Sequence, residues 1–177
     1  MKSRTFAVTV LIAAGLCAPW QISRAADDAQ MKPTDAEKSF IMKAANGGMT
    51  EVELGKIAEQ KGATQDVKDF GKRMVHDHGK ANDQLKEVAG KMDVEIPDKV
   101  DAEHQATIDK FSKMAAGADF DQAYIPAMIK DHNEDIAEFQ KEEKTVKNED
   151  LKRFIASTIP VMKEHLMMIE KISKEKK

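Results

Sequence analysis

VKDFGKRMVHDHGKANDQLKEVAGKM, residues 67–92, decides the fold. Its apolar residues Val67, Phe70, Met74, Ala81, Leu85, Val88 and Met92 recur at three- and four-residue spacing, the period of one helix face. Projected at about 100° per residue, His78 falls near the centre of that stripe and His76 on the far side. Burying a polar group without a partner costs on the order of 2 to 7 kcal/mol, even when it is neutral. The stripe therefore raises the question of what His78 meets.

The same pattern extends in both directions. Thr34 caps a first helix, with Glu37 three residues on completing a capping box, and the helix runs to about Gln60 and stops at Gly62. Its stripe is Phe40, Ala44, Gly47, Gly48, Leu54, Gly55 and Ala58, with Glu51 inside it. Thr64 starts the second helix, which ends near Met92, and Pro97 lies in the following break. A shorter third helix is expected from about Asp101 to Ala116, stopped by Gly117. A fourth spans about Asp119 to Thr145, where Tyr124, Ile125, Met128, Ile136 and Phe139 flank His132, and Pro126 is expected to kink or detach its first turns. A fifth covers about Glu149 to Ser173, where Leu151, Ile155, Thr158, Met162, Met168, Ile169 and Ile172 flank His165, and Pro160 is expected to interrupt it on the solvent side. No useful stretch alternates with period two. Four helices of roughly 40 Å with a short one mid-order predict an all-α, ferritin-like four-helix bundle over residues 34–175, the short helix lying in the crossover between two hairpins. Residues 69–78 also align without gaps to residues 123–132, keeping an aromatic, a Met and an Asp-His pair in register, which suggests equivalent roles for the second and fourth helices.

Each long helix thus carries one ionisable residue in its apolar stripe: Glu51, His78, His132 and His165. Measured along the helices from the turns near Gly62 and Asn148, they lie roughly 17 to 26 Å away, near mid-bundle. Three imidazoles and a carboxylate suit a transition-metal ion, with copper and zinc the leading choices. Met74, Met128 and Met162 each sit about one turn before a histidine and are possible soft ligands, although core filling is the ordinary use of Met. Asp77 and Asp131, next to histidines on the stripe edges, and Tyr124 are candidates for the surrounding shell. For Tyr124, a core phenol with a satisfied hydroxyl is the simpler expectation. Gly47, Gly48 and Gly55 would let a neighbouring helix approach closely. The alternative to a metal is a closed hydrogen-bond network that fixes the bundle's register without any ion.

The rest of the chain narrows the function. Lys2 and Arg4 precede an apolar run from Phe6 to Ala18, and Ser23-Arg24-Ala25 offers a cleavage site. This reads as a signal peptide over residues 1–25, followed by a polar lead-in over 26–33, and implies export to a bacterial periplasm. The run is shorter than the about 20 residues of a membrane span. Cys17, the single cysteine, would leave with that segment, removing disulfides and thiolate sites. Loss of Lys2, Arg4 and Arg24 leaves 25 basic against 31 acidic side chains, a balance that disfavours nucleic acid. No Gly-rich phosphate loop and no catalytic set appears.

Phe40, Ala44-Ala45-Asn46-Gly47-Gly48, Glu51-Val52, Leu54-Gly55 and Ala58, then Met74-Val75-His76-Asp77-His78, then Phe120-Asp121, Tyr124, Met128 and His132, then Pro160 and His165-Leu166 carry a resemblance. In that order they resemble the bacterial domain-of-unknown-function 4142 family, over about residues 36–172. The resemblance implies a ferritin-like bundle in the periplasm or outer-membrane fraction, with no established activity. Many members are labelled predicted outer membrane protein, although this chain has no alternating barrel strands. It also departs from di-iron ferritin-like enzymes: the residues three before the histidines are Val75, Ile129 and Met162 rather than Glu, and few carboxylates are expected to face inward.

Overall fold

The structure, a computed structural model, describes residues 32–175. The expected signal segment and most of the lead-in lie outside these residues. Five helices follow in order: α1 (Asp35–Lys61), α2 (Gln65–Lys91), α3 (Ala102–Ser112), α4 (Ala118–Glu143) and α5 (Glu149–Glu175). No strand occurs among the described residues, and no helix there is long and apolar enough to cross a membrane. The third helix ends four residues earlier than its sequence suggests, and Lys61 donates from its ammonium to the carbonyls of Ser112 and Met114 at that end. Pro126 and Pro160 both lie within continuous helices, contrary to the interruption expected at each. Both prolines are exposed, so the carbonyls that lose a backbone donor can be hydrated.

The caps form as the sequence predicts. Thr34 accepts from the Glu37 backbone N–H while Glu37 accepts from the Thr34 N–H at 2.8 Å. Glu37 does more than cap α1: its other oxygen accepts the backbone N–H groups of Lys147 and Asn148, at 3.1 and 3.0 Å, in the α4–α5 turn. Burial opposes ionisation of Glu37, but these donors outweigh it and hold its carboxyl below the usual range. Asp121, buried at the start of α4, likewise accepts from the Ala63 N–H in the α1–α2 turn.

Pairings across the bundle fix its topology. Gly55 lies against Gly71 and Gly48 against Asn82, so α1 and α2 are antiparallel. Lys43 meets Glu138 while Glu51 meets His132, so α1 and α4 are antiparallel too. Arg73 meets Glu164 and Lys91 meets Asp150, which sets α2 against α5 in the same sense. Helices α2 and α4 therefore run parallel, and residues 92–117 must carry the chain back along the bundle. This crossover is pinned along α1: the Asp101 N–H donates to Asn46, and Gly117 donates to the Lys61 carbonyl. The parallel pair also explains the internal repeat, since Phe70 and Tyr124 are both fully buried with rings 6.2 Å apart.

The core has two apolar clusters. One gathers Phe40, Ile41, Leu85, Phe139, Leu151, Phe154 and Ile155; the other gathers Leu54, Phe70, Met74, Phe111, Phe120, Tyr124 and Ile169. Between them, at the level where each long helix places its ionisable residue, lies a polar layer.

Candidate metal centre

Glu51 from α1, His78 from α2, His132 from α4 and His165 from α5 come together in that layer, all buried. One ring nitrogen of each histidine lies within 4.8 Å of the others, and Glu51, Asp131 and His132 form a second group of the same spread. Glu51 faces two of the rings: Oε2 is 2.8 Å from His78 Nδ1 and Oε1 is 3.5 Å from His132 Nε2.

The surroundings assign the protons. His132 Nδ1 is 3.0 Å from the Met128 carbonyl, which can only accept, so Nδ1 carries the hydrogen and Nε2 a lone pair. His165 Nε2 is 2.9 Å from Asp77 Oδ2. Burial would raise the Asp77 carboxyl, but hydrogen bonds from His165, His76 and Arg73, and the charge of Arg73, hold it well below the usual range. Asp77 is thus an ionised acceptor, His165 Nε2 is protonated, and His165 Nδ1 holds a lone pair. These two lone pairs face each other at 3.4 Å. Burial lowers the pKa of His132, and that of His165 to about 4, so neither ring is charged at neutral pH. Two neutral acceptors at that distance have nothing to share.

His78 completes the picture. Its Nδ1 lies 2.8 Å from Glu51 Oε2, and its Nε2 is a buried atom with no hydrogen-bond partner among the described residues. Burial brings its pKa down to about 4. The His132 and His165 lone pairs, each opposite a nitrogen already held by a carbonyl or carboxylate, therefore face one another with a ring nitrogen of His78 within 4.8 Å. A cation is the chemistry they suit. In a tetrahedral zinc site with bonds of about 2.0 to 2.1 Å, neighbouring donors stand about 3.4 Å apart. The His132–His165 and His132–Glu51 separations have that size.

The carboxylates are more numerous than the sequence suggested. Asp131 is hydrogen-bonded to Glu51, and burial together with the Asp131 charge pushes the Glu51 carboxyl up to about 8, although His132 acts against this. Burial raises Asp131 as well. Asp135, one turn further along α4, was not singled out from the sequence. It is half-buried, and burial and the nearby Glu51 and Asp131 push it to about 8. Its signal was the four-residue spacing from Asp131 along the edge of the His132 stripe. The Tyr124 hydroxyl, expected to be satisfied, is buried with no partner among the described residues. Burial raises its pKa, with Glu51 and Asp131 adding to the effect.

Met74, Met128 and Met162 are all buried. Met74 and Met128 belong to the cluster below the polar layer, and Met128 serves the site through its carbonyl. Met162 borders two cavities that reach His78. His76 is exposed and hydrogen-bonded to Asp77, and His104 sits on α3 against Asp101. Of the three stripe glycines, Gly55 and Gly48 are closely approached, by Gly71 and Asn82, and Gly47 is not.

No curated protein and no solved structure matches the chain. A family model does match, over residues 22–172, and its description is Domain of unknown function (DUF4142). With nearly the whole chain covered, the protein belongs to that family.

Proposed function

We propose that this protein is an exported helical bundle that binds one transition-metal ion at His78, His132 and His165, with Glu51 as fourth ligand, for sequestration or delivery. The observation that carries the reading is the pair of inward lone pairs on His132 and His165, 3.4 Å apart and fixed by Met128 and Asp77. Imidazole and carboxylate donors favour zinc or copper(II); copper(I) would need sulfur from Met162. Export is supported by Lys2, Arg4 and the apolar run after them. The site's burial suits holding an ion rather than turning over a substrate, so we assign no reaction.

The test is elemental analysis of protein purified without a nickel column, with thermal unfolding before and after chelation. About one equivalent of metal, and a melting temperature that falls on chelation and returns on adding zinc or copper, is the expected result. The Glu51–Asp131 hydrogen bond favours a second reading, in which the cluster only fixes the register of the bundle. Absence of metal together with no thermal response to either ion would establish that reading instead. N-terminal sequencing of protein from a periplasmic fraction tests export: a chain beginning near residue 26 supports it, and an intact Met1 contradicts it.

A further inference from the structure

Two cavities reach His78, one lined mainly by carboxyl groups and the other by more cations than anions. The larger, about 410 Å3, is bordered by the carboxyl groups of Glu51, Asp101, Glu103, Asp131, Asp135 and Glu138. Lys43 is the one Lys or Arg side chain lining it, and its ammonium is held 2.9 Å from Glu138. The other, about 300 Å3, is lined by Arg73 and Lys80 with Asp77 as its one carboxylate. Arg73 is paired with Asp77, which leaves Lys80 as the net charge on that side.

In the acidic cavity, burial of the carboxyl groups increases inward. Asp101 and Glu103 are exposed, Asp131 and Asp135 are half-buried, and Glu51 is buried against His78. Asp101 is fixed at the outer end by the backbone N–H groups of Glu103 and His104. At the inner end His78, 5% exposed, carries the ring nitrogen that has no partner among the described residues. Low-dielectric walls lined by one sign of charge focus the field and can raise the arrival rate of a counter-ion by about 10- to 1000-fold.

We propose that divalent cations reach the imidazole site through this acidic cavity beside α1, α3 and α4, and not through the Lys80 side. Asp101, Glu103 and Glu138 collect the ion, and Asp131 and Asp135 exchange its water for carboxylate oxygen on the way to the histidines. The route rests on the metal-centre reading above. It also gives α3 a purpose beyond closing the crossover, since it brings Glu103 and His104 to the cavity.

Cobalt(II) association with the metal-stripped protein, followed by stopped-flow absorption, tests it at about 10 mM and about 0.5 M salt, on either side of strong screening. The Glu103→Gln/Glu138→Gln variant should bind about 3- to 10-fold more slowly at low salt and match the parent at high salt, with dissociation nearly unchanged. Lys80→Glu, which changes the charge by as much, should speed association by a clearly smaller factor at low salt. Gly47→Leu, whose added side chain has room on the cavity wall, should slow association and dissociation by the same factor and leave the affinity alone. Parent-like association in the double variant, or an effect of Lys80→Glu as large as that of the double variant, overturns the route while the metal site stands. Failure of the parent protein to bind cobalt(II) removes both.

Discussion

At the scale of the residue, a hydrogen bond on one imidazole nitrogen decides what the other can do. Asp77 is the sharpest case, because it holds His165 from the neighbouring helix across 2.9 Å. Replacing Asp77 with Ala should lower zinc affinity about 10- to 100-fold in a chelator competition, with helix content retained; unchanged affinity would detach Asp77 from the site. Tyr124 offers the opposite test. Its hydroxyl is buried without a partner among the described residues, so Tyr124→Phe should raise stability to urea by about 1 to 3 kcal/mol. A clear loss would mean that the hydroxyl is satisfied in solution. The positions of Glu51, His78, His132 and His165 were legible because a residue's angle on a helix follows from its number alone. The partner of Asp77, the place of Asp135 and the orphaned phenol were not, because stripe-edge residues depend on the neighbouring helix.

At the scale of the element, the α1–α2 contact is set by two glycines. A Cβ at Gly55 would stand 2.7 Å from the Gly71 carbonyl oxygen, and one at Gly71 would stand 2.6 Å from that of Gly55. Both obstacles are backbone, which cannot rotate away. Gly55→Ala should therefore cost a net of about 1 to 3 kcal/mol in denaturant unfolding, despite the better helix propensity of alanine. Gly47→Ala, where the nearest atom to the new Cβ is 3.8 Å away, should be neutral or stabilising by up to about 1 kcal/mol. Equal effects at the two positions would contradict the close packing. The sequence marked Gly55 through its stripe but not Gly71, whose importance comes from the facing helix. Helix limits were legible from Thr34, Gly62 and Thr64, whereas the tie from Glu37 to the α4–α5 turn spans 110 positions and leaves no local trace.

At the scale of the whole molecule, the up-down-down-up order of α1, α2, α4 and α5 places two apolar clusters around a polar layer. The short third helix made the crossover legible, but not its course along α1. The layer ties stability to pH in the metal-stripped protein. His78 and His165, ordinarily near 6.5, sit at about 4, so their contribution is lost as pH falls from 6.5 towards 4. Glu51 and Asp135, raised to about 8, contribute stability that is lost as pH rises towards 8. The two effects oppose each other up to about pH 6.5, above which only the carboxyl loss continues. The melting temperature of the stripped protein should therefore fall between pH 6.5 and 8, and a rise across that interval would contradict these assignments. Metal must displace the same protons, so zinc affinity should increase over the same interval.

The central claim is that three imidazoles converge on one ion, and imidazole nitrogen NMR during a zinc titration of the stripped protein tests it most directly. The account predicts that one equivalent shifts the unprotonated nitrogens of His78, His132 and His165 together, while His132 Nδ1 and His165 Nε2 stay protonated. Zinc that leaves these three unmoved, or that shifts His76 and His104 instead, would contradict it.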